Sequence, residues 1–176
     1  MRVIGRKAAV CALAGITVLY MASPYIALYR LEQALRAGDI DAVDDAIDWN
    51  QVRAGLKQQV VAEATGATVR QVSDGHDLPA FGASFMAGIA THMVDKVVTP
   101  EGLCMAMHRA GDDPDAEAPP PHIVWAFFDG PAVFTVQLRP AGSAAAATPL
   151  TLRLQLEGAR WKVTRVVLPE GAKARA

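Results

Sequence analysis

Leu150-Thr151-Leu152-Arg153-Leu154-Gln155-Leu156-Glu157 decides the fold class. Leucines alternate with polar residues throughout, the period of two that sends successive side chains to opposite faces of a strand. A strand with one dry and one wet face belongs in an antiparallel sheet covered on a single side. Upstream, Phe134, Val136 and Leu138 alternate in the same way with Val133, Thr135, Gln137 and Arg139. Ile123–Phe128 and Trp161–Leu168 share the β-branched and aromatic composition of strands. Turn signals separate the four segments: Asp129-Gly130, the alanine-rich loop 140–149, and Gly158-Ala159-Arg160. The reading is a four-stranded antiparallel meander over Ile123–Phe128, Ala132–Arg139, Leu150–Glu157 and Trp161–Leu168.

Before the meander the period changes to that of helices. An acidic, proline-rich crossover, Gly111–Pro121, carries Asp112, Asp113, Asp115 and Glu117 without calcium-loop spacing. Tyr25, Leu28, Leu31 and Leu35 recur at helical spacing, and Gly38 is a fitting terminator. Asp39 then caps a short helix over Ile40–Ile47. Asp48 caps a third, in which Trp49, Val52, Leu56 and Val60 form an apolar stripe while Arg53, Lys57 and Gln58 point outward. Thr65–His76 reads as a polar connection containing a short strand at Thr68–Val72. Pro79 opens a helix with Phe81, Phe85, Ile89, Met93 and Val97 on one core face, and Thr99-Pro100 opens another through Ala110. Helices covering one face of the sheet give a two-layer α+β domain.

Arg2, Arg6 and Lys7 precede a run from Ala8 to Tyr29 that holds no charged residue. A basic start followed by so long an apolar stretch is the pattern of a membrane span or a secretory signal. Met21-Ala22-Ser23 is a partial cleavage site, and Pro24 directly after it discourages cleavage. The expectation is therefore an uncleaved signal anchor over residues 1–23, with the helix continuing to about residue 37. A single extracytoplasmic domain over 24–170 and a disordered tail over 171–176 complete the chain. The positive-inside rule places the domain in the periplasm, anchored by a single pass in the inner membrane. The alternatives are secretion after cleavage and a buried core helix. Cys11 reads as a small membrane-facing hydrophobe.

Beyond residue 23 the chain has 14 basic and 18 acidic residues, a balance that argues against nucleic-acid partners. The first part is acidic and the part after Glu117 is basic, as expected of solvated faces. Only Cys104 remains beyond the anchor, so the domain holds no internal disulfide. Cys104 and His108 stand four apart and share a helix face, the spacing a thiol and an imidazole need to act as nucleophile and base or as two metal ligands. With His92 they are the candidate ligand-binding residues. No third group completes a triad or a metal site, so the sequence implies no cofactor, no metal and no catalytic residue, and a free cysteine between Leu103 and Met107 reads first as core. Trp49 likewise reads as a core anchor. His76 and His122 lie beside turn and proline residues. Arg139, Arg153, Lys162 and Arg165 supply positive charge to the sheet, but alternation alone leaves their facing open.

Ser23-Pro24-Tyr25, Leu28-Tyr29-Arg30-Leu31, Ala34-Leu35-Arg36-Ala37-Gly38-Asp39 and Asp48–Leu56 with Val52-Arg53 together resemble the bacterial domain-of-unknown-function family 2939. The resemblance covers roughly the first third of the chain. It implies an N-terminal apolar segment and a helical opening with no assigned activity, and it carries over no catalytic residue. A weaker resemblance, in Ala34–Ile47 and Trp161-Lys162-Val163, is to the NTF2-like superfamily, which implies a curled antiparallel sheet around helices with a pocket for small ligands or a sheet used for dimer contacts. Fold does not fix function. The expected function is a noncatalytic envelope module that binds a protein partner or a small ligand. The alternatives are a pocket enzyme using Cys104, His108 or His92, and a structural homo-oligomer built through the sheet.

Overall fold

The computed structural model describes residues 2–73, 80–112, 122–139 and 148–168. Among these, five helices precede four strands: α1 (Arg2–Ala37), α2 (Ile40–Ala46), α3 (Trp49–Ser73), α4 (Ala80–Val97), α5 (Pro100–Asp112), β1 (His122–Gly130), β2 (Val133–Arg139), β3 (Leu150–Glu157) and β4 (Arg160–Val167). The strands pair antiparallel in chain order. The α+β class and the meander are as read from the alternation. The expected strand at Thr68–Val72 is instead the last part of α3, which runs unbroken to Ser73. Helix propagation from a well-capped start carries through the polar stretch, since each further residue adds a backbone hydrogen bond at little extra ordering cost.

The helix boundaries have local causes. At the end of α1, Gly38 adopts φ +67°; its N–H donates to the Leu35 carbonyl and the Asp39 N–H to the Ala34 carbonyl. This pair of bonds is a Schellman termination, and the left-handed position favours glycine. Asp39 Oδ1 then accepts the Ala42 N–H at 3.0 Å to start α2. Asp48 Oδ1 accepts the Gln51 N–H at 3.0 Å to start α3, and the Thr99 hydroxyl accepts the Gly102 N–H at 3.0 Å to start α5.

α3 divides its side chains among three neighbours. Val52 and Leu56 are buried in the core. Arg53 and Lys57, expected to point outward, join the following helix: Arg53 Nε donates to the Val98 carbonyl at 2.8 Å and Lys57 Nζ to Asp95 at 2.7 Å. The third flank closes the exposed edge of β4. Asp48 N–H donates to the Val163 carbonyl, Gln59 Nε2 donates to the Val166 carbonyl at 2.7 Å, and Gln59 Oε1 accepts the Leu168 N–H at 3.2 Å. A glutamine here replaces a missing strand and removes an edge open to misassembly.

The inner face of the sheet packs against the same helix that carries the apolar N-terminal run. Tyr20 stacks on Phe128 at 5.7 Å, Tyr25 meets Phe134 edge-on at 4.9 Å, and Phe134, Phe128 and Trp161 complete one aromatic cluster. Such edge and offset contacts add about 0.5–1.5 kcal/mol each beyond burial. Pro24 lies inside α1 and is fully buried. Lacking an N–H, it leaves the Tyr20 carbonyl without its helical donor. The Ser23 hydroxyl supplies that donor at 2.7 Å and accepts the Trp161 Nε1–H at 2.7 Å. The Ser23-Pro24 pair thus joins the helix to a tryptophan far along the chain.

Candidate functional site

Cys104 is buried within the core cluster. His108 is exposed one turn later, and its Nδ1 donates to the Cys104 carbonyl at 2.9 Å, so the imidazole is held by the backbone and not by the thiol. His92 is exposed on α4, which packs against α3, whereas α5 packs against α1 and α2. The three sequence candidates are therefore not gathered into one site. No cluster of three or more metal-ligating side chains occurs among the described residues. Trp49 is part-buried against the core, with the Arg53 guanidinium 5.9 Å from its ring centroid. His76, the acidic loop after Asp112 and the tail lie outside the described residues.

Concavities formed by the described residues flank the sheet on both sides. One, of about 500 Å³, lies between α1, α2 and the β3–β4 turn, with Ser23, Ala27 and Trp161 among its lining residues and Arg30 and Arg160 among its cations. Arg160 is paired with Asp45 at 3.2 Å, both well exposed. The other, of about 250 Å³, lies on the outer face, where α3 presents Gln51, Ala54, Gly55 and Gln58 to Arg153, Gln155, Thr164 and Arg165.

The register settles the facing that alternation left open. Thr135 pairs with Arg153, Arg153 with Arg165, Gln155 with Lys162 and His122 with Arg139. Residues opposite each other share a face, so all four cations lie on the outer one. A bulge in β4 makes this so. Leu154 pairs with Val163 but Arg153 with Arg165, and the extra residue, Thr164, is buried with its hydroxyl donating to the Arg153 carbonyl at 3.3 Å. Without that bulge, alternation from Val163 would turn Arg165 toward the core. The same face exposes Trp125 and Phe127.

Polar burial is uneven here. Arg153 Nε and Arg139 Nε are buried with no hydrogen-bond partner among the described residues, as is Trp49 Nε1. The ion pairs among the described residues are Arg36–Glu32, Lys57–Asp95 and Arg160–Asp45, none of them on this face. At the pocket's end Gln51 Nε2 donates to Asp48 at 2.8 Å and to Glu157 at 3.1 Å. The Asp48 carboxyl is held below the ordinary carboxylate range chiefly by the Gln51 backbone N–H.

No curated protein and no solved structure matches the chain, so the fold-level likeness to the NTF2-like superfamily gains no support. The family model described as a protein of unknown function, DUF2939, matches residues 13–117, from within the apolar run through the acidic loop. That span is more than half of the sequence, and the chain belongs to the DUF2939 family.

Proposed function

We propose that the protein is a noncatalytic, membrane-anchored envelope module, with a periplasmic domain that binds a small ligand or a partner and an apolar N-terminal helix that is retained. The observation that carries the reading is the double use of α1. Residues from Cys11 to Leu19 are exposed and mostly apolar, and the stretch Cys11–Ala37 of the helix is, by length and composition, enough to cross a membrane or to act as a signal. Tyr20 and Ser23, immediately after them, are structural parts of the aromatic core. Cleavage after Ser23 would remove the acceptor of the buried Trp161 indole and a ring stacked on Phe128. Retention keeps both. Arg2, Arg6 and Lys7 favour a cytoplasmic start and hence an extracytoplasmic domain.

The test is intact mass of the protein recovered from membranes, together with labelling of Asp44→Cys by a membrane-impermeant maleimide in intact cells. The expected result is a full-length mass and labelling from outside the inner membrane. A mass short of residues 1–23, or labelling only after lysis, sinks the reading.

A second reading, assembly through the sheet, is favoured by β1, an edge strand that exposes Ile123, Val124, Trp125 and Phe127. Exposed apolar edge strands are templates for pairing with another chain. It predicts a mass in detergent that grows with concentration and falls to that of a monomer in Phe127→Lys.

A further inference from the structure

We propose that the outer-face pocket between α3 and β3–β4 binds a small oxyanion, a carboxylate or phosphate group seated between Arg153 and Arg165. It deepens the ligand-binding reading above and rests on that reading, not on the fate of the anchor.

Three observations converge. First, Arg153 and Arg165 stand directly opposite each other across two strands. Like charges in that position repel, and a neutral pair would serve the sheet better. The repulsive pair exists only because Thr164 is bulged, and bulges commonly re-aim a side chain toward a site. Second, neither guanidinium has a carboxylate partner among the described residues, and Arg153 Nε is buried with no acceptor. A buried donor left unmade is costly, so an acceptor arriving in the pocket relieves it. Third, the cavity has room for a small molecule, and the side chains of Gln58 and Gln155 line it beside the arginines. Lys162, opposite Gln155, adds positive potential from the same face. Asp48 and Glu157 are held at one end by Gln51 and do not pair with either arginine.

The chemistry of recognition follows from the fork geometry of guanidinium. Two planar donors facing one another can each present a pair of N–H groups to one carboxylate or phosphate. The lining amides of Gln58 and Gln155 then offer hydrogen bonds to groups beyond the anion.

The test is calorimetric titration of the full-length protein in zwitterionic detergent with sodium succinate and with sodium phosphate at constant ionic strength. The expected result is saturable one-site binding of one of these anions, weakened at least about tenfold in Arg153→Gln and in Arg165→Gln by loss of a charge-assisted contact. Lys57→Gln removes the same charge from the opposite flank of α3 and leaves binding unchanged. Arg165→Gln without ligand unfolds at the same temperature as the native chain or higher, because the repulsion is gone. Dihexanoyl phosphatidylglycerol separates the sources of phosphate: tighter binding than inorganic phosphate assigns a lipid headgroup, and equal or weaker binding assigns the free anion. Absence of saturable binding, unchanged affinity in both arginine variants, or equal loss in Lys57→Gln overturns the proposal. A cleaved N-terminus in the mass measurement would count against the anchor alone.

Discussion

On the inner face of the sheet Phe134 meets Tyr25, Phe128 and Trp161, and the Trp161 indole N–H finds the Ser23 hydroxyl. On the outer face Arg153 meets Arg165 and its buried Nε has no hydrogen-bond partner among the described residues. One face is built to be finished by the chain itself. The other leaves donors waiting. The difference teaches where to look for stability and where to look for binding, because repelling cations on the outer face add nothing to the packing of the inner one.

The comparison breaks most visibly at Phe134. It is fully buried at the centre of the aromatic cluster, so Phe134→Ala removes ring contacts and leaves a cavity. The expected loss is about 3–5 kcal/mol in chemical denaturation. On the outer face Gln137→Ala should change the midpoint by no more than about 0.5 kcal/mol, the usual range for surface substitutions. Equal effects at both positions would erase the distinction between the faces.

Ser23 comes next. Ser23→Ala leaves the Trp161 Nε1–H without an acceptor and the Tyr20 carbonyl without a donor. Unmade buried bonds of this kind cost about 1–3 kcal/mol. Trp161→Phe in the same background should then cost less than it does alone, because the orphaned indole is gone. A double-mutant cycle by denaturation reads that coupling, and additive losses would show that serine and tryptophan act independently.

The two faces were unequally legible in the chain. The leucine alternation of β3 reports its dry side directly, because period two has only one structural meaning at that length. The caps at Asp39, Asp48 and Thr99 were equally plain, since the residue types that cap a helix also disfavour continuing one. What stayed hidden depended on partners distant in sequence. Ser23-Pro24 reads locally as a poor processing site, and only Trp161 reveals it as a joint. The bulge at Thr164 was invisible because threonine and valine suit strands equally, so nothing in Val163-Thr164-Arg165 announces an extra residue. The same bulge sets the Arg153–Arg165 pair, and with it the candidate site. Cys104 and His108 illustrate the converse: helical spacing placed them near one another, but burial took the thiol into the core and the backbone took the imidazole.

A smaller effect tests how α3 is fixed to the edge of β4. Asp48 caps the helix through the Gln51 N–H, while its own N–H bonds to Val163. Its folded-state acidity is raised, meaning the pKa is depressed, so the carboxylate is favoured in the folded protein. The stabilisation is fully present above the ordinary aspartate value and is lost as pH falls from about 4 downward through the folded value. Asp48→Ala should cost about 1 kcal/mol at neutral pH. Asp48→Asn should keep most of the cap and flatten that part of the acid dependence. A native acid limb in Asp48→Asn would place the titrating group elsewhere.

The smallest effect concerns the turn where the two faces end together. Gly158 and Ala159 adopt φ +53° and +73° between the paired residues Glu157 and Arg160, the left-handed pair that a two-residue hairpin uses to match strand twist. Glycine takes that conformation freely, whereas an alanine there pays about 1–2 kcal/mol. Ala159→Gly relieves the strain but gains freedom in the unfolded chain worth about 0.4–1 kcal/mol, so the net gain should be only about 0.5 kcal/mol. Ala159→Asn tolerates the left-handed region without that extra unfolded freedom and should do at least as well. The nearby Arg160–Asp45 pair is too exposed to confuse the measurement. A gain in both variants, read as a higher denaturation midpoint, locates strain in the turn backbone; a loss in both would mean that the alanine methyl is needed where it lines the groove beside Trp161.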